Sequence, residues 1–154
     1  MSASDASNGF GASSYVGRSG VSAINPSGTA TYRCGVIGLY GVTGFSHVYT
    51  VGDMTASANF NTNTISFSTS GTQGINPATG AYLGYYSALD ISATNLVDSN
   101  GNNIFISNSI SDNSGLSGSA EIALFGYSGQ ELAGIGSLDN NLSLIHISEP
   151  TRPY

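Results

Sequence analysis

His47 is the one histidine ahead of residue 146; it stands two residues before Tyr49 and six before Asp53. An imidazole near a phenol and a carboxylate is the raw material of a base or a metal ligand. Nothing else in the chain completes such a centre. A Ser-His-Asp arrangement would have a single base and no Gly-x-Ser-x-Gly turn to present its nucleophile. Gly17-Arg18-Ser19-Gly20 and Tyr127-Ser128-Gly129 both miss that spacing. Cys34 is the only cysteine, so it offers neither an internal disulfide nor a Cys/His zinc cluster, and it reads as a small buried apolar side chain. Asp90, Asp98, Asp112, Glu121 and Glu131 are scattered, with no spacing that pairs two of them for glycoside hydrolysis. The expectation is a protein with no catalytic residues and no metal site, not an enzyme.

Composition narrows the partners. Charged residues make up 8% of the 154, there is no lysine, and the cations are Arg18, Arg33 and Arg152 against a net charge of -6. A chain without a basic stripe does not neutralise phosphates, which argues against nucleic acid and against an anionic membrane surface. Hydrophobic residues at 40% suffice for a core, and 21 glycines among many Ser, Thr and Asn suit a turn-rich β-protein of an extracytoplasmic compartment. No stretch approaches the roughly 18 apolar residues of a membrane helix. The opening MSASDASNGFGASS has neither the basic nor the apolar part of an export signal, and residues 1–26 read as a flexible N-terminal segment.

Leu142 to Arg152 reads LSLIHISEPTR. A transposase-type sequencing-library adapter, translated in frame, reads the same over all eleven residues. Residues 142–154 are therefore set aside as a non-native, adapter-derived tail, together with His146, Arg152 and the sequon Asn141-Leu142-Ser143. On this reading the gene is an interrupted fragment. An export signal or lipid-anchor cysteine would lie upstream, the alternative being a chain intact at that end, and a last strand is missing downstream.

The elements that must position any site are strands. From Asp53 to Asn61, Met54, Ala56, Ala58 and Phe60 face one way while Asp53, Thr55, Ser57, Asn59 and Asn61 face the other, the mark of a half-buried strand. Asn61-Thr62-Asn63 turns the chain into Thr64–Thr69, with Ile65 and Phe67 inward. Ala30, Tyr32, Cys34 and Val36 form another inward row, and Leu89, Ile91 and Ala93 a third. Asp98-Ser99-Asn100-Gly101 is a hairpin turn leading into Asn103–Ile110. Leu116–Leu138 is a hairpin with Ala120, Ile122 and Leu124 on one face, Gly126–Gly129 at the turn, and Gly134 and Gly136 in its second arm. About seven such strands with small inward residues predict an all-β protein: a small antiparallel up-and-down barrel of about eight strands, here lacking the last.

Three segments carry a resemblance. Ser27-Gly28-Thr29-Ala30-Thr31-Tyr32 with Gly35-Val36-Ile37-Gly38, then Ala58-Asn59-Phe60-Asn61-Thr62-Asn63-Thr64-Ile65-Ser66, then Leu116–Gly134 with its Phe-Gly turn and Glu131-x-x-Gly134, follow in order. Together they resemble the transferrin-binding protein B-like β-barrel domain over residues 27–141, as a remote member. Cys34 stands where a glycine is common there. Phe125-Gly126-Tyr127-Ser128-Gly129 replaces an aromatic-Gly-Pro turn, and Ala133-Gly134 replaces a Gly-Gly pair. These departures point away from the host-transferrin receptors themselves.

The resemblance implies a non-enzymatic solute- or protein-binding barrel of the bacterial surface or outer membrane, lipid-anchored or secreted. Its implied ligands are an iron-carrier protein, haem or another solute, from a host or the environment, and its implied partner is a TonB-dependent receptor. Binding would fall to extended loops at one end, here Leu39–Thr50 and Gly74–Ser87. These carry Tyr40, Phe45, His47 and Tyr49 in the first and Tyr82, Tyr85 and Tyr86 in the second, residue types suited to recognition. Against this stands the plainer reading that they are strand residues with one wet edge. His47 beside Tyr49 is the haem-ligand candidate, against an ordinary surface histidine. The alternative function is structural, a phage-fibre or surface-adhesin β-module.

Overall fold

The computed structural model describes residues 26–42, 45–126, 129–138 and 143–151. It holds nine strands: β1 Thr29–Val42, β2 Phe45–Asn59, β3 Thr64–Ile75, β4 Tyr82–Tyr85, β5 Ile91–Val97, β6 Ile104–Asp112, β7 Ser117–Phe125, β8 Glu131–Leu138 and β9 Ser143–Thr151. Every pairing is antiparallel. The sheet runs β2-β1-β9-β8-β7-β6-β5-β3-β4, and a further β2–β3 pairing joins it into a ring. Eight strands thus make an up-and-down barrel. β4 is a short flap on the far half of β3, whose near half pairs with β5.

Period-two alternation produces this closure. Tyr32, Cys34 and Val36 of β1 and Met54, Ala56 and Ala58 of β2 point inward and are buried, as do Ile65 and Phe67 of β3. Phe60, at the same inward parity, packs half-buried on that core. The inward alanines share one buried core with the larger Phe67, Phe105 and Met54, so the interior is filled and not hollow.

Alternation shifts at two places. In β5 the left-handed Asn95 (φ 57) absorbs an extra residue, so Leu96 and not Asn95 turns inward opposite Ile65. Leu89, expected in the inward row with Ile91 and Ala93, instead ends a 3₁₀ turn at Ser87–Leu89. In β6 a slip between Ser107 and Ile110 brings Ile110 to the core beside Phe105, and leaves Ile106 outside.

The place of the expected last strand is taken by the tail. Ser143–Thr151 lies between β8 and β1, pairing Gly134–Leu138 on one side and Arg33–Tyr40 on the other. The physical reason is that a vacant slot between two edges is filled by backbone hydrogen bonds. An alternating stretch rich in β-branched residues supplies them whatever its origin. The fit is imperfect at its end. The register slips between Cys34 and Gly35, where Pro150 comes opposite Cys34, as expected of a residue without an N–H to donate. The N-terminal segment 1–25 and the turn residues 127–128 lie outside the described residues.

Candidate functional site

The two expected loops are mostly strand. Only residues 43–44 separate β1 from β2, because Leu39 and Tyr40 pair with Tyr49 and Val48. In the second stretch, β3 runs to Ile75, a turn held by the Asn76 side chain covers 76–81, and β4 follows. Glycines and aromatics made both read as loops, whereas strand pairing uses the backbone and tolerates them.

Register then decides where the aromatic residues go. Residues directly opposite in an antiparallel pair share a face. Leu39, Tyr49, Ile75 and Tyr82 are consecutive partners across β1, β2, β3 and β4, and so are Ile37, Val51, Gln73 and Tyr85. These two rows of four stand side by side on the outer wall and contain no charged residue. Ile37 (48%), Tyr49 (45%), Tyr82 (55%) and Tyr85 (71%) are largely exposed, a concentration that a surface of scattered apolar residues does not show. Two ring pairs brace it. His47 meets Tyr49 edge-on at 6.0 Å, and Tyr82 meets Tyr85 edge-on at 5.9 Å.

Tyr40 and Tyr86 belong elsewhere. The Tyr86 ring lies over Gly74 and near Val48, where a Cβ on Gly74 would strike it, so it covers the end of the barrel. Tyr40 reaches across that end to donate to Asp112 Oδ2 at 3.3 Å; burial first, then the Asp112 charge, raises its pKa, while a hydrogen bond with Ser114 opposes the rise. Phe45 opens β2 opposite Val42. Of the seven expected residues, the fold gathers His47, Tyr49, Tyr82 and Tyr85 on one wall and sends Tyr40 and Tyr86 to the mouth.

The mouth is closed by carboxylates that grip backbone. Asp112, buried, accepts from the Ser114 and Leu116 N–H groups and the Ser114 hydroxyl; Asp90 accepts from the Thr72 N–H and hydroxyl. Asp98 does the same for the β5–β6 turn, accepting from the N–H groups of Asn100, Gly101, Asn102 and Asn103. Asp98 and Asp112 looked scattered because each holds its own turn as an Asx motif, while Asp90 reaches across to Thr72 of β3. The signal was the Asp followed at once by Ser, Asn and Gly.

What remains open at the mouth is a pocket of about 20 Å³ between Val36, Gly38, Tyr40, Thr50, Thr72, Leu89 and Ile91. That is room for one water and not for an organic ligand. At the other end Tyr32, fully buried, donates its hydroxyl to the Gly129 carbonyl. Burial pushes the Tyr32 phenol up to about 12 and the neighbouring Cys34 thiol up to about 11. A thiol held so far from ionisation is no nucleophile.

No protein-family model and no curated protein matches the chain. Among the described residues no three His, Cys, Asp or Glu side chains gather to hold a metal, and no helix is long and apolar enough to cross a membrane. The outer wall across β1–β4 is therefore the feature with the most to offer a partner.

Proposed function

We propose that this protein is a non-enzymatic binding barrel of the bacterial cell surface or of the secreted pool, which captures its partner on the outer wall across β1–β4. The observation that carries the reading is the pair of uncharged rows, Leu39-Tyr49-Ile75-Tyr82 and Ile37-Val51-Gln73-Tyr85, on a chain whose interior is filled. A hollow barrel would hold a small solute inside. Here the mouth admits no more than a water, so the partner is large and is met from outside. Exposed tyrosines supply contact area at low entropic cost. The low charge and absence of lysine support an extracytoplasmic setting, and the resemblance to transferrin-binding protein B-like domains supports a scaffold used for capture.

The wild type and a Tyr49→Ser/Tyr82→Ser/Tyr85→Ser variant, displayed against one array of serum proteins and glycans, test this. Ligands held by the wild type are lost by the variant, with melting temperature unchanged because all three side chains are exposed. Ligands held equally by both proteins would overturn the wall as the site. Haem is tested by titrating haemin and reading the Soret band. With His47 half-buried on the outer wall and its ring edge-on to Tyr49, no ordered complex is expected. A shifted band abolished by His47→Ala would restore haem as the ligand.

A further inference from the structure

Resting on the outer wall as the binding surface, we infer that its ligand is an uncharged polysaccharide of extended, β-linked chain, lying across strands β1–β4. Three features of the wall select this chemistry.

The first is spacing. Tyr49 and Tyr82 are separated by one intervening partner, Ile75, and so stand two strand spacings apart, roughly 9–10 Å along the row. In an extended β-linked polysaccharide alternate sugars present the same face, with a repeat of the same order. Two aromatic stations at that separation engage every second sugar of one chain. Each station is a braced pair, His47 against Tyr49 and Tyr85 against Tyr82, so the rings are held before the ligand arrives.

The second is charge. Neither row contains an ionised side chain, and the whole protein is sparse in them. Protein interfaces draw on arginine anchors and on charged rims for steering and register. This wall has no arginine in its rows and only the Asp53 carboxylate at its border, next to Val51, while a sugar face of C–H groups on a ring matches tyrosine without any ionic partner. Gln73, half-buried between the stations, is a neutral amide able to accept from and donate to hydroxyls.

The third is continuity. β4 is the last strand in the sheet order, so the row ends at an edge and not against another element. A polymer crossing the wall runs on past Tyr82 without having to terminate there.

Affinity electrophoresis of the full chain tests the inference, in gels containing hydroxyethylcellulose, mixed-linkage β-glucan or dextran. The two β-linked polymers retard the protein and dextran, an α-linked coil, does not. Tyr49→Ala and Tyr82→Ala each weaken retardation at least tenfold, their double variant abolishes it, and Tyr82→Phe keeps it. Equal melting temperatures exclude misfolding as the cause. Retardation by dextran as strong as by β-glucan, or no retardation by either β-linked polymer, overturns the ligand class. The array separates the two readings. A protein ligand lost by the triple Ser variant leaves the wall in place and removes the polysaccharide; β-glucan binding untouched by the tyrosine variants removes both.

Discussion

Replacing Gly134 by alanine should be among the most damaging single methyl groups in the closing hairpin, second to one at Gly118, which would run into the Ser137 carbonyl. Gly134 is the inward partner of Ile122, and a Cβ built there lies 2.5 Å from the Glu121 carbonyl oxygen and 2.9 Å from Ile122 Cγ1. A carbon and a carbonyl oxygen rest at roughly 3.3–3.6 Å, so β7 and β8 would have to part by nearly 1 Å. Both strands are paired along their other sides as well, which leaves neither free to slide away. Overpacking of this kind costs about 1–3 kcal/mol, against about 0.4–1 kcal/mol recovered by restricting the unfolded chain. The expected net loss is about 1 kcal/mol, a fall in Tm of roughly 2–5 °C for a chain of this size. Two controls share the chemistry, one with a much milder contact and one with none. At Gly136 the nearest atom is the Ser119 carbonyl oxygen at 3.2 Å, and at Gly35 nothing lies within 4 Å. Gly136→Ala should melt near the wild type, and Gly35→Ala slightly above it. Thermal denaturation followed by circular dichroism reads all three. If Gly134→Ala melts no lower than Gly136→Ala, strand approach is not what requires the glycine.

Three further outcomes follow from buried polar groups and from closure. Tyr32 and Cys34 have their pKa values raised by burial, from an ordinary 10 to about 12 and from 9 to about 11. The folded state holds those protons longer than the unfolded one, so stability is complete below pH 9 and falls as pH rises through 11 and 12. Denaturant titrations at pH 8 and 11 should show that fall, and Tyr32→Phe should flatten it. At neutral pH the same variant should lose about 1 kcal/mol with the hydrogen bond to Gly129. Asp98→Ala strips four backbone N–H groups of their acceptor and should lower stability by about 2–3 kcal/mol, with Asp98→Asn recovering part. A urea midpoint for Asp98→Ala equal to the wild type's would show that the carboxylate is not what holds the turn. Ending the chain after Leu138 removes β9 and leaves the edges Arg33–Tyr40 and Gly134–Leu138 unpaired. That form should aggregate or associate on size-exclusion chromatography, and a monodisperse monomer as stable as the full chain would contradict the edge argument.

Much of the barrel is legible in residue order alone. Met54, Ala56 and Ala58, or Ala30, Tyr32, Cys34 and Val36, announce strand and inward face together, because a side-chain period of two leaves no other arrangement that buries one set and wets the other. The Asn and Gly turns are equally local: Asn63 and Gly101 take left-handed backbone at the hairpin tips where their residue types suggested it. The two shifts in β5 and β6 were not legible, since each depends on how far the partner strand has already run.

The candidate site divides the same way. That tyrosines cluster between residues 40 and 86 is a property of the sequence, as is the sparse charge. Which of them act together is a matter of register. Tyr49 and Tyr82 are 33 positions apart and become neighbours but one only because Ile75 pairs with both, while Tyr86, one residue beyond Tyr85, turns to the opposite side over Gly74. Alternation assigns each residue a face; only the pairing of distant strands, set by the closing of the barrel, decides which faces lie side by side.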